Sequence, residues 1–433
     1  MQTKLPWLSL IAITSLGSVA PGVYAQKSTV KNSQQKTELK VLSPENREDS
    51  VIVEVFRQNA PQKFNVPGAP RFALIGNEHK YYMGIGGYVK GTASFDFKNP
   101  IDNPMYFTTS QIPMNQAKGN GGLYQMSAGT SNIFFNFIAM PQTKYQVGAY
   151  VNFNFAGNNY GFDLQYAYLT FAGFSMGYNF TMFADLAAAP PTIDQEGPSS
   201  MATVQNTLMN YTYTHKNWSF ALGAELPMTS ITTNSATTDV NQRAPAVPAY
   251  IQYKTKNGSS LRVTGLWRNM QYRNITEDKN KSANGWGVQL SGVVKTPVRL
   301  TMYYQGVYGQ GISSFVQDMS GLGLDLVPDE KHAGDLITVK AWGAYMGLQY
   351  NFTKNLFCSH TYSQVRNYAK DYSDGTTAWD DQYRYAQYIV NNIFWSITPS
   401  VQVGAEYIWG RKAIMDGRKC ADNRIQAMFQ FSF

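Results

Sequence analysis

From Tyr82 to the C-terminus, apolar and polar residues alternate in segments of about ten residues, the signature of strands that span a membrane. The clearest segments are Tyr145 to Phe155, Leu261 to Trp267, Val298 to Tyr304, Trp342 to Tyr350 and Val401 to Trp409. In the first, Tyr145, Val147, Ala149, Val151, Phe153 and Phe155 share one face, while Gln146, Gly148, Tyr150, Asn152 and Asn154 share the other. The chain ends the same way: Ile425, Ala427, Phe429, Phe431 and Phe433 alternate with Arg424, Gln426, Met428, Gln430 and Ser432. Five apolar positions on one face up to the final residue would be costly in water, and they suit a strand facing lipid.

The connections alternate in length. Seven are tight, near Pro141-Gln142-Thr143, Ala172-Gly173, Lys216-Asn217, Lys256-Asn257-Gly258, Thr296-Pro297, Thr353-Lys354-Asn355 and Thr398-Pro399. Eight are mostly long and polar or glycine-rich, around 98–122, 156–161, 184–203, 227–248, 273–284, 310–340, 367–381 and 411–423. Together they join about 16 strands into an all-β, up-and-down, antiparallel transmembrane barrel, with short turns periplasmic and long loops outside. A soluble β-sandwich is the competing reading, but it has no need of one-sided loop lengths. Barrels of 16 to 18 strands enclose a water-filled channel, whereas eight-stranded ones are filled by their own side chains.

Residues 1–25 read as a signal peptide: Lys4, an apolar Leu5 to Gly17, and Val23-Tyr24-Ala25 as a cleavage site before Gln26. Residues 26–80 read as a periplasmic extension, in which Pro44, Pro61, Pro67 and Pro70 bar a long helix and Ser50 to Phe56 forms a short strand or docking segment. The barrel domain is 81–433. The resulting address is the bacterial outer membrane.

Composition sharpens this. Of 433 residues, 14% are aromatic and only 15% charged, which excludes disorder. No run of 18 to 20 apolar residues follows the N-terminus, which excludes a bundle of membrane helices. Mean hydropathy is nevertheless −0.32, as expected when one strand face meets lipid and the other water. Trp218, Trp267, Trp286, Trp342, Trp395 and Trp409 are candidates for the membrane interfaces. The net charge of +8 is dispersed along the chain, so nucleic acid is not the partner; Lys279, Lys281, Arg411, Lys412 and Arg418 suit lipopolysaccharide. His79, His215, His332 and His360 have no metal-ligand spacing, and no G-x-S-x-G elbow or nucleotide loop occurs, so no catalytic residue, metal or cofactor is expected. Cys358 and Cys420 fall at opposite membrane levels, too far apart for a disulfide.

Parity then assigns the channel lining. The basic candidates are Lys90, Arg262, Arg268, Arg299, Arg384 and Arg424; the acidic ones are Asp96, Asp163, Glu225 and Glu406. Six against four implies a mild anion preference, and any bulge swaps the faces beyond it. The loop from Ala184 to Met201 is the candidate constriction: apolar from Leu186 to Pro191, then acidic, with Asp185, Pro190, Asp194, Glu196, Gly197 and Pro198 as its marked positions. Rim packing or a subunit contact is the alternative. The 310–340 loop is the second candidate, and Tyr88, Tyr150 and Tyr303 could form a sugar-stacking stripe.

Several stretches resemble the DcaP-like trimeric outer-membrane porins. They are Gly84-Ile85-Gly86-Gly87-Tyr88-Val89-Lys90; Thr181-x-Phe183-x-Asp185-x-x-Ala188-x-Pro190-x-Thr192-x-Asp194-x-Glu196-Gly197-Pro198; Gly285 to Gly292; and Tyr308 to Ile312. The likeness runs from about Tyr82 to Phe433. It implies a 16-stranded homotrimeric porin passing small organic solutes, anionic dicarboxylates among them. The chain departs from that pattern where the family's fourth strand carries arginines, since it reads Asp163-Leu164-Gln165-Tyr166-Ala167-Tyr168, and in lacking a coiled-coil N-terminus. A passive diffusion porin is thus the leading reading. A surface adhesin or structural barrel, and less so a barrel phospholipase or protease, are the alternatives.

Overall fold

The computed structural model describes residues 37–42, 47–64, 68–115, 119–329, 331–369 and 379–433; the signal-peptide reading for 1–25 lies outside them. Sixteen antiparallel strands close into one barrel. In chain order they are β1 (Tyr81–Asp96), β2 (Asn132–Ala139), β3 (Val147–Asn154), β4 (Asp163–Phe171), β5 (Phe174–Phe180), β6 (Gln205–His215), β7 (Trp218–Glu225) and β8 (Val247–Lys254). The second half comprises β9 (Ser260–Asn274), β10 (Lys279–Lys295), β11 (Leu300–Gln310), β12 (Lys340–Asn351), β13 (Leu356–Asn367), β14 (Tyr383–Thr398), β15 (Val401–Ile414) and β16 (Lys419–Ser432). Each pairs with its chain neighbours, and β16 pairs with β1 from Arg424↔Asp96 to Ser432↔Tyr88. The terminal residue completes the seam, because Phe433 and Gly87 exchange backbone hydrogen bonds of 3.0 and 3.1 Å. Every strand edge is thereby satisfied, as a lipid environment demands.

All seven predicted tight turns join strands. Two of the eight predicted loops are shorter than expected: β9 and β10 continue to within four residues of each other, and so do β15 and β16. Their polar tips are the ends of long hairpins, which the polarity of 273–284 and 411–423 disguised. Alternation holds around the ring. Trp218, Trp267, Trp286 and Trp395 are exposed on the outer face, with Leu222, Val263, Met346 and Phe429.

Of the two readings for Ser50 to Phe56, a short strand or a docking segment, the N-terminal segment takes the second, as a helix. Arg47–Asn59 is an α-helix, α1, ended by Pro61. The buried positions Asp49, Ile52, Val53, Phe56, Asn59 and Ala60 recur at helical spacing. Strands Glu38–Val41 and Phe72–Ile75, on either side of α1 in the chain, form an antiparallel pair whose second strand pairs with Tyr82–Ile85 of β1, beyond the end of β16. Leu42, Ile52, Val53, Phe56, Ile75, Tyr82 and Ile138 make a small core between the strand pair, the helix and the barrel.

The helix then reaches inside the short-turn end of the barrel. Asn59 donates to Asn136 of β2 at 2.8 Å and accepts from Thr170 of β4 at 2.7 Å. Glycines make room for it: a Cβ on Gly148 would sit 2.2 Å from Asn59 Oδ1, and one on Gly84 would sit 2.2 Å from Pro70. Farther along, Phe64 packs edge-on against Phe394 of β14, with 5.3 Å between ring centroids.

Candidate pore interior

The segment between β5 and β6, Thr181 to Val204, runs inside the barrel. A 3-10 turn at Leu186–Ala188 and the Pro190-Pro191 pair stiffen its apolar part, which rests on the wall. Tyr345 donates to the Ala188 carbonyl at 3.1 Å, and Ser359 and Asn392 donate to the Pro191 carbonyl at 3.2 and 2.8 Å. Gly343 and Gly347 on β12 admit the close approach, since a Cβ there would lie 2.8 Å from Ser200 and from Pro190 respectively. Gly197 adopts φ +78, a conformation that favours glycine, and with Pro198 turns the chain back toward the wall.

Most of the wall charges assigned to the channel lining face inward but do not line open water. They anchor inserted backbone. Glu406 accepts from the N–H groups of Ile193 and Asp194 at 2.8 and 2.9 Å, and from Asn392 and Gln426. Glu225 accepts from Thr181 Oγ1 and Met182 N–H, both at 2.7 Å. Lys90 donates to the Ile193 carbonyl at 3.1 Å. Arg262 donates to the Met182 carbonyl, lies 4.0 Å from Asp185, and stacks 3.7 Å above the Tyr250 ring. Asp185 also accepts from Ser291 at 2.7 Å.

Two more loops insert beside it. Arg268 pairs with Asp325 at 3.3 Å and donates to Gly311 and Ser314, holding the 311–339 loop. Asp318 of that loop accepts from Ser110 N–H at 2.8 Å. Arg424 and Asp96 make a two-pronged pair at 2.5 and 2.8 Å beneath Phe107 of the loop that follows β1, which ends where Leu123–Ser127 rejoins the wall beside Thr92–Asp96. Phe183, Phe315, Val316, Met319 and Leu324 meet the apolar wall residues Val307, Ala341, Val365 and Ala386 in a dry core. Loop insertion explains why inward-facing charges are 8% exposed or less: Lys90 2%, Asp96 0%, Glu225 1%, Arg262 8%, Arg268 2%, Glu406 4% and Arg424 0%.

Two basic assignments fail on backbone geometry. Arg299 lies in the turn before β11 with φ +64 and donates to the Phe352 carbonyl, so it is a turn residue and not wall lining. Arg384 sits at a register shift between Tyr383 and Tyr385; the bulge directs Tyr383 inward onto Asp318, displacing the arginine. Among the acids, Asp163 alone stays half-buried, accepting from Gln165 at 2.6 Å. Tyr150 is fully buried against Phe134 and Tyr168 and offers no face for stacking; Tyr88 is buried and Tyr303 half-buried.

The side chains that remain part-open gather between the inserted 181–204 segment and β4 to β6: Tyr106, Asp163, Gln165, Gln195, Glu196 and Gln205. Gln205 donates to the Gln165 carbonyl at 2.8 Å, and Gln195 N–H to the Met105 carbonyl at 3.1 Å. Asp194, behind them, accepts from Phe107 N–H, Glu196 N–H and Tyr388 at 3.0 to 3.1 Å, and burial raises its pKa. Burial and the carboxylates of Asp194 and Asp318 push the Glu196 pKa up to about 8. Lys63, from the N-terminal segment, reaches the same region, its ammonium 5.5 Å from the Phe180 ring centre. Alternation could not reveal Lys63, Tyr106 or Asp318, because none lies on a wall strand. Among the described residues no cluster of three His, Cys, Asp or Glu side chains is placed to hold a metal.

A protein-family model described as the Porin subfamily matches residues 85–428. No curated protein matches the sequence. Among solved structures, the outer membrane channel DcaP of Acinetobacter baumannii superposes with a TM-score of 0.70 at 20% identity, over 82% of this chain and 99% of that one. The anion-selective porin from Comamonas acidovorans superposes at 0.52 with 10% identity, over 82% and 100%. OmpT of Vibrio cholerae superposes at 0.52 with 9% identity, over 82% and 98%. At these identities the likeness is one of fold.

Proposed function

The chain belongs to the porin subfamily and is an outer-membrane β-barrel channel, and we propose that it lets small hydrophilic solutes diffuse passively, with a mild preference for anionic organic ones such as dicarboxylates. The observation that carries this reading is the interior. A closed sixteen-stranded wall is narrowed by inserted loops, and part-open polar side chains from Tyr106 to Gln205 remain along one side. Such a passage selects by width and by the charges that face it. The 181–204 segment is the constriction in this reading, with Glu196 at its edge.

The anionic preference is supported by charge balance. Of the acids near the interior, Asp96, Glu225 and Glu406 are buried among hydrogen-bond donors, and burial pushes the Glu196 pKa up to about 8, so little negative charge faces the passage at neutral pH. A related fold, the Comamonas acidovorans porin, is described as anion-selective. The same reading takes the assembly to be a homotrimer, cleaved near Ala25/Gln26, with the short-turn end in the periplasm and lipopolysaccharide at the long-loop rim. At that rim Arg418 already engages Asp381 and Asp416, and Lys281 engages Glu277 and Asp335, so Lys279 is the freer contact.

Planar-bilayer recording of the purified protein in a salt gradient tests this. Discrete conductance steps with a reversal potential on the anion side are expected. Absence of steps overturns the channel, and a cation-side reversal overturns the anionic preference alone.

A further inference from the structure

The wall cations are spent on anchoring, so it matters where the unspent positive charge lies. A cavity of about 510 Å³ opens at the short-turn end, between the N-terminal segment, the Leu186–Ala189 stretch and the ends of β8 to β11. Arg57 and Lys63 line it from the N-terminal segment, and Lys254 and Lys295 line it from the wall. Glu54 is the single carboxylate on its lining. Among the described residues, none of these four cations has a carboxylate within salt-bridge distance, in contrast to Arg262, Arg268 and Arg424, although Lys63 also feels the more distant carboxylates of Glu196 and Asp194. Tyr303, on the same lining, supplies a phenol hydroxyl.

Four cations facing one cavity repel one another, and a mobile dianion relieves that repulsion. The volume is in the range of small-molecule sites and leaves room for a four-carbon dianion with part of its water. Two of the cations belong to a segment that is not part of the barrel. An occupant would therefore bridge segment and wall.

We propose that this vestibule is a binding site for small organic dianions, built jointly by Arg57 and Lys63 of the N-terminal segment and by Lys254 and Lys295 of the barrel. The inference rests on the channel reading for its biological use, and it places the anion-recognising charge at the short-turn mouth and not on the wall at mid-barrel. Because the occupant ties the N-terminal segment down, binding also keeps that segment seated across the mouth.

The test is calorimetric titration of succinate into the purified full-length protein in detergent, with the neutral diamide of succinate as control. Saturable succinate binding that weakens as KCl rises is expected, with no binding of the diamide. R57Q/K63Q and K254Q/K295Q should each weaken it at least about tenfold, equivalent to ~1.4 kcal/mol, while R418Q at the opposite rim leaves it unchanged. Heat-modifiable gel migration confirms that each variant is folded. Unchanged affinity in both double variants, or equal binding of the diamide, overturns the site. Conductance steps in KCl without succinate report on the channel separately, so loss of steps with retained succinate binding would fault the channel and not the site.

Discussion

Glu406 and Asp194 are 212 residues apart in sequence, yet the Glu406 carboxylate accepts the Asp194 backbone N–H at 2.9 Å and the Ile193 N–H at 2.8 Å. A wall acid thus holds the inserted segment by its main chain. Replacing Glu406 with Gln sets an amide NH2 against two N–H donors, so the variant should lose about 2 kcal/mol of stability. Thermal unfolding in detergent would show the drop, and single-channel recordings should become noisier as the segment loosens.

Arg424 and Asp96 form a fully buried two-pronged pair. Removing one partner strands a charge, so R424M or D96N alone should cost about 3–5 kcal/mol, and the double variant clearly less than their sum. Denaturant unfolding of the three variants measures the coupling. Additive losses would contradict it.

Arg262 and Arg268 face inward but are spent on Met182, Gly311, Ser314 and Asp325. R268M should therefore lower stability by about 3–5 kcal/mol, as a charge-burying pair requires. A reversal potential that shifts with no loss of stability would show that the residue lines open water after all.

Glu196 titrates near pH 8 because burial, Asp194 and Asp318 oppose its charge, with Lys63 acting the other way. Below that pH it is neutral, and above it a negative charge appears beside the passage. Anion preference should therefore fall between pH 7 and 9, and E196Q should remove the step. The folded-state pKa lies above the unfolded value, so this group favours the folded state most below pH 4.5 and loses that contribution as pH rises toward 8. Reversal potentials across that window decide the matter.

The N-terminal segment narrows the short-turn mouth through Asn59, Pro70 and Phe64. Deleting residues 37–70 behind an intact signal sequence should raise single-channel conductance while leaving the barrel folded. Equal conductance would mean that the segment lies off the solute path.

Much was legible from one chain. Period-2 alternation depends only on neighbouring residues and on lipid facing one side, so strand number, turn positions, closure and the inward parity of Lys90, Arg262, Arg268, Glu225, Glu406 and Arg424 all followed from it. Bulges mark the first limit: Tyr383 took the inward place assigned to Arg384 because one extra residue exchanges the faces. At Ser50 to Phe56 alternation left a short strand or a docking segment open, and burial against the N-terminal strands and β1 decided for a docked helix.

Whether an inward charge meets water or protein was decided only by tertiary structure. Several loops and the N-terminal segment enter the lumen, and their carbonyl and N–H groups must be satisfied once water is displaced. The wall charges do that work, across separations such as the 213 residues between Ile193 and Glu406. Alternation tells which side of the wall a residue faces. Only the packing of distant segments against that wall tells what it finds there.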